Sequence, residues 1–179
     1  IYNRAREEHT IYWLDNNNKN ALDMAITFYR RALESDSAYA KAYTGLGLAY
    51  FDKFQNSTYF DSTYMDSLLI FSDKALSYDD QLGGAYYLQG LYYRNNGDIH
   101  KALEKLDIAL RYDPNYFLAF NEKSAILWFT LGRFKESIIN LHQSFNRNRG
   151  AGLGSFYGYL GRSYCDIGIF DKAQYYYEE

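Results

Sequence analysis

Residues 86–114 read YYLQGLYYRNNGDIHKALEKLDIALRYDP. Two aromatic residues, Tyr86 and Tyr93, flank a small one, Gly90. After a turn at Asn95-Asn96-Gly97-Asp98 come Ile99, Ala102, Leu106 and Ala109, and Pro114 closes the segment. Ala102, Leu103, Leu106, Ala109 and Leu110 have the i, i+3, i+4, i+7 spacing of an amphipathic helix. Glycine inside a helix costs about 0.5–1 kcal/mol relative to alanine. Its use at Gly90 therefore implies that packing needs the space.

The same pattern recurs along the chain. Tyr43, Leu46, Gly47 and Tyr50 form one copy. Tyr157, Leu160, Gly161, Tyr164, Gly168, Phe170, Ala173 and Tyr177 form another. A looser copy runs Ala125, Trp128, Gly132, Phe134, Ser137, Leu141, Ser144. In the first copy Leu22, Ala25, Tyr29 and Ala32 make a good second helix, but the first helix is degenerate and Trp13 falls where glycine is expected. A fixed period of roughly 34 residues marks an array of stacked units. One excess of nine residues, between Tyr50 and Leu68, places an insertion in the second unit.

The pattern resembles the tetratricopeptide repeat, a helix-turn-helix unit, and the resemblance spans residues 1–179. It implies an all-α right-handed superhelix of about five helix pairs. The units run approximately 6–39, 40–82 with an insertion at 54–62, 83–117, 118–153 and 154–179, the last cut short. First helices are expected near 3–15, 38–53, 82–95, 116–131 and 153–167, and second helices near 19–35, 61–78, 98–112, 134–147 and 170–179. Gly97 and Gly132 are placed for left-handed caps, and Arg149–Gly154 is the loosest junction. A narrower resemblance lies in residues 21–50, ALDMAITFYRRALESDSAYAKAYTGLGLAY. It is similar to the arrays attached to bacterial adenylate-cyclase-like proteins and transmembrane transcriptional regulators. That implies a sensory or scaffolding segment of a larger, membrane-anchored signalling protein. A start at Ile1 and a stop inside a helical pattern at Glu179 fit a segment of a longer chain.

Composition narrows the function classes. A formal charge of −3 and no basic run leave no electrostatic footprint for nucleic acid. No stretch of about 18 apolar residues is present to span a membrane. One cysteine rules out an intrachain disulfide framework and a cysteine-based zinc site. His9, His100 and His142 lie in different units without a ligand at metal spacing, and they read as solvated helix residues. Cys165 has no paired base, and Gly150, Gly152 and Gly154 lack the preceding strand of a phosphate loop. No catalytic, cofactor or metal residue is expected.

The family resemblance implies that four positions of each first helix point into a concave groove. They are Lys41, Thr44, Leu48 and Phe51 in the second unit and Tyr87, Leu91 and Arg94 in the third. Glu122, Ile126 and Phe129 follow in the fourth, and Ser155, Arg162 and Cys165 in the fifth. The Lys and Asn clamp of chaperone-tail binders is missing from these positions. The expected partner is a protein or peptide held in the groove. The alternative is a structural spacer or self-associating segment with no dedicated ligand.

Overall fold

The computed structural model describes residues 1–15, 17–55, 63–147 and 153–178, and every regular element among them is helical. In chain order these are α1 (Tyr2–Leu14), α2 (Lys19–Ser35), α3 (Ala40–Gln55), α4 (Thr63–Leu76), α5 (Gly83–Asn95), α6 (Ile99–Tyr112), α7 (Phe117–Ala125), α8 (Phe134–Arg147), α9 (Leu153–Asp166) and α10 (Phe170–Glu178). Each odd-numbered helix packs on the even-numbered helix that follows it. The fold class expected from the period is therefore present. Most of the expected insertion, 56–62, and most of the loose junction, 149–152, lie outside the described residues.

The chain divides into two compact units, Ile1–Asp113 with α1–α6 and Pro114–Glu179 with α7–α10. In the first, α2 also packs on α3 and α4 on α5, and the first helices α1, α3 and α5 are neighbours in that order. Its alanines set the spacing between helices: Ala40, Ala75 and Ala85 form one buried cluster between α3, α4 and α5. Around them, Ala5, Tyr12, Leu22, Ala25, Tyr29, Leu46 and Ala49 close the core of the first pair. In the second unit, Ile138, Leu141, Leu160, Tyr164 and Ala173 play that part.

Turn chemistry follows the sequence closely. Gly97, Gly132 and Gly168 take left-handed φ values of 80°, 63° and 78°. A Cβ at Gly97 would meet no atom within 4 Å, so the demand there is conformational alone. Gly97→Ala is expected to lower stability by about 1–2 kcal/mol, the cost of an L-residue in that region. A urea titration reads this as a lower midpoint with an unchanged slope. Asn18 caps α2 by accepting from the backbone N–H of Asn20 and Ala21, at 3.1 and 3.2 Å. Asp98 caps α6 by accepting from Lys101 N–H at 3.1 Å.

Ser137 and Ser144 replace alanine, and Ser124 replaces leucine, where the fourth unit departs from the pattern. Ser124 Oγ donates to Ser137 O at 3.0 Å, and Ser137 Oγ returns a hydrogen bond to Ser124 O at 2.8 Å. Ser144 Oγ donates to Phe117 O at 3.1 Å. These buried hydroxyls bring their own partners, so small size is kept without an unsatisfied polar group.

Two features differ from the sequence reading. The first is the register of α1. Its buried residues are Ala5, Glu8, His9 and Tyr12, with Trp13 exposed. Their spacing is that of Tyr43, Leu46, Gly47 and Tyr50 in α3, so His9, not Trp13, stands in the glycine position. The four residues thus displaced lengthen the connection and add a turn to the start of α2. The second is the end of α7, which becomes a π-helical turn at Ile126–Thr130. In the third and fifth pairs the glycine cap closes over five residues, Asp98 N–H to Tyr93 O and Ile169 N–H to Tyr164 O. In the fourth, Arg133 N–H reaches six back, to Leu127 O at 2.8 Å. The widened turn takes up that extra residue where Trp128 packs on Phe134, ring centroids 4.6 Å apart.

Candidate functional site

A helix turns about 100° per residue, so each first helix presents distinct stripes. Tyr43, Leu46, Gly47 and Tyr50 of α3 form the stripe against its partner helices. Lys41, Thr44, Leu48 and Phe51 form a second stripe, about 130° round the same helix. Tyr87, Leu91 and Arg94 hold matching positions on α5. The corrected register of α1 brings Arg6, Thr10 and Trp13 into the same positions. Sequence reasoning missed these three because it set α1 one turn too late.

The expected groove residues divide by accessibility. Lys41 is exposed, Thr44, Leu48 and Arg94 are half-buried, and Phe51 and Tyr87 are largely covered. Thr44 Oγ1 is occupied locally, donating to Lys41 O at 2.9 Å. Leu91 is fully buried, because α5 packs against α3, α4 and α6, and it offers no surface to a ligand. In the second unit Ile126 is likewise buried, since the π turn packs on α8. Glu122 is half-buried and Arg162 exposed, with Asp166 Oδ2 4.0 Å from Arg162 Nε. Phe129, on the π turn, is 71% exposed. Cys165 is exposed, and the side chain of Ser155 is outside the described residues.

Two histidines overturn the expectation of solvated side chains. His9 is 3% exposed, and its Nε2 lies 2.7 Å from Asp52 Oδ2 on α3. Trp13 Nε1 donates to the same oxygen at 2.9 Å, and its ring lies 4.5 Å from the imidazole. Asp52 thus fixes the orientation of a partly exposed indole beside the α3 stripe. Behind this cluster, burial pushes the Tyr29 phenol above its ordinary range, and the neighbouring Tyr2 raises it further. The charge of Arg6 opposes that rise at both Tyr29 and Tyr2. Glu8, also fully buried, pairs with Arg4 at 2.6 Å.

In the second unit His142 Nε2 lies 2.9 Å from Tyr164 Oη. Burial first, and then the Lys172 charge, hold His142 below its ordinary pKa of 6.5. The folded state therefore binds this proton less readily than the unfolded chain. Its contribution is full above that value and is lost as pH falls from about 6.5 towards the lowered one. The thermal midpoint should drop between about pH 7.5 and about pH 5.5 by a margin that shrinks in His142→Gln.

Among the described residues, no group of three or more His, Cys, Asp or Glu side chains is arranged to hold a metal ion. No described helix is long and apolar enough to cross a membrane.

No protein-family model matches the chain, and no curated protein matches it. Solved structures do. TTC0263, a thermophilic TPR protein of Thermus thermophilus, is 19% identical, with a TM-score of 0.72 over 98% of this chain and 87% of its own. MamA is 20% identical, with a TM-score of 0.60 over 92% of this chain and 89% of its own. YrrB, described as a TPR protein with an unusual peptide-binding site, is 22% identical, with a TM-score of 0.52 over 98% and 88%. At such identities the likeness carries the fold and no more. The chain has the all-α helical-repeat fold of the tetratricopeptide-repeat proteins.

Proposed function

We propose that this chain is a non-catalytic protein-interaction module that holds a peptide or partner segment against the stripes of its first helices. The observation that carries the reading is the pre-set Trp13 indole. It is held by Asp52 and His9, yet 42% of it remains exposed at the end of the α1 stripe. A rigid, partly exposed aromatic is the kind of anchor that dominates interface energetics. The peptide-binding site ascribed to YrrB supports this reading at the level of the shared fold.

Selection of peptides from a random library on the intact chain tests the proposal. Arg94→Glu should weaken peptides held on the first unit, and Phe129→Ala peptides held on the second, by about ten-fold with helicity retained. If both variants bind like the parent, the stripes are not the binding surface.

The finer context is proposed from residues 21–50: a sensor or scaffold segment of a bacterial signalling protein, attached to a cyclase or a membrane-anchored transcriptional regulator. The domains flanking this segment in the full-length gene decide it. The reading of residues 1–179 as one array is proposed from the period, which carries Gly90 to Ala125 and Ala109 to Ser144. Self-association is the second reading, favoured by Phe170, Tyr175 and Tyr177, which α10 leaves exposed. A concentration-dependent mass in light scattering would support it.

A further inference from the structure

We infer that the open face of α10 takes a helix of a partner protein, one that brings a small residue and two basic side chains to it. This surface is separate from the stripes of the first helices and does not depend on them. Leu22, Asp23, Ala25 and Tyr29 of α2 recur at the same spacing as Phe170, Asp171, Ala173 and Tyr177 of α10. In α2 the tyrosine is covered by two helices. Tyr29 meets His9 of α1, ring centroids 6.1 Å apart, and Gly45 of α3, where a Cβ would run into its ring. Asp23 pairs with Lys53 of α3 at 2.7 Å, and Arg30 donates to Tyr50 Oη. Leu22 and Tyr29 are each 3% exposed as a result.

α10 has the inner half of that arrangement. Tyr177 lies against Gly161 of α9, where a Cβ would stand 2.9 Å from its Cε1. Phe170 and Tyr177 are nonetheless 67% and 59% exposed, and among the described residues α9 is the helix on which α10 packs. Charge then selects the occupant. Asp171 repeats Asp23 but has no ion-pair partner among the described residues. Glu178 stands where α2 has Arg30, and Gln174, in place of Ile26, donates to it at 2.7 Å. Lys172 is turned towards α9, its Nζ 5.1 Å from the centroid of the Tyr164 ring. A second copy of α10 would set these carboxylates against their own kind. The α1 helix of a second copy is equally unsuited, since Asp15 holds the place that Lys53 holds in α3. The fitting helix keeps a small residue in the place of Gly45 and a basic one eight positions on, in the place of Lys53. A second basic residue, in the place of Tyr50, meets Glu178.

The test adds three labelled peptides to the intact chain, each copying α3, Ala40–Gln55. The first carries Tyr50→Lys, the second Tyr50→Glu with Lys53→Glu, and the third Tyr50→Lys with Gly45→Leu. Fluorescence anisotropy is expected to show the first binding at least about ten-fold more tightly than the other two, and Phe170→Ala, which changes an exposed side chain, should weaken it while keeping helicity. In the double variant Asp171→Lys, Glu178→Lys the preference should turn to the second peptide, an exchange that a general loss of structure would not produce. Equal binding of the first two peptides, a preference unchanged in the double variant, or failure of all three to bind overturns the inference. So does a dimer in sedimentation equilibrium that Phe170→Ala dissolves, because it gives the face to a second copy. None of these outcomes bears on peptides held on the stripes, which Arg94→Glu and Phe129→Ala test.

Discussion

Gly90→Ala is expected to destabilise the protein, although alanine is favoured over glycine in a helix interior by about 1 kcal/mol. A Cβ built at Gly90 would come within 2.9 Å of Leu106 Cδ2 and 3.0 Å of its Cγ. Leu106 is fully buried, so its side chain has no outward path by which to yield. Leu106→Ala by itself should cost about 2–5 kcal/mol, the range for emptying a closed leucine site. The two changes should not add. With Leu106 shortened, the new methyl group fills part of the space, so Gly90→Ala turns less harmful or even favourable. A double-mutant cycle in urea reads the coupling, and strict additivity would show that the α5–α6 contact does not set the helix spacing. Gly83 provides the contrast. A Cβ there would lie 2.8 Å from the backbone oxygen of Ala109, which no side-chain truncation can move.

The second large effect belongs to Asp52. Removing its carboxylate strands the N–H groups of buried His9 and of Trp13 together. A buried donor left without an acceptor costs about 1–3 kcal/mol, and Asp52→Ala should fall at or above the middle of that range. Asp52→Asn keeps an acceptor oxygen in the same place and should cost clearly less. Tryptophan emission reports the same event independently, because the indole loses its tether in Asp52→Ala. An equal loss in both variants would mean that charge, and not the shared acceptor, holds the cluster.

The repeat was legible because small residues spaced regularly between aromatics point to helices that must cross closely. Gly47, Gly90 and Gly161 mark the close crossings, and Gly97, Gly132 and Gly168 mark the left-handed turns. The register of α1 was not legible. Its buried stripe contains Glu8 and His9, which no apolar periodicity picks out. Their burial depends on Arg4, one turn away, and on Asp52, a separation of 43 residues that a local pattern cannot show. The π turn was hidden for a related reason: it alters which backbone groups pair, while Trp128 and Gly132 keep their expected spacing. The site was half legible. Stripe positions follow from helical geometry, but the burial of Leu91 and Ile126 depends on which neighbouring helices cover them.

The tie from His9 to Asp52 also bears on the order in which the chain acquires structure. Repeat arrays draw most of their cohesion from adjacent units and can nucleate at many points. Here the opening pair contains an imidazole whose partner is supplied by the third helix. During synthesis, α1 and α2 leave the ribosome well before Asp52 does, and until then His9 lacks the acceptor that α3 supplies. The smallest block in which the polar contacts of the opening pair are complete is thus three helices, α1–α3, and not the single hairpin that the period marks as the building unit.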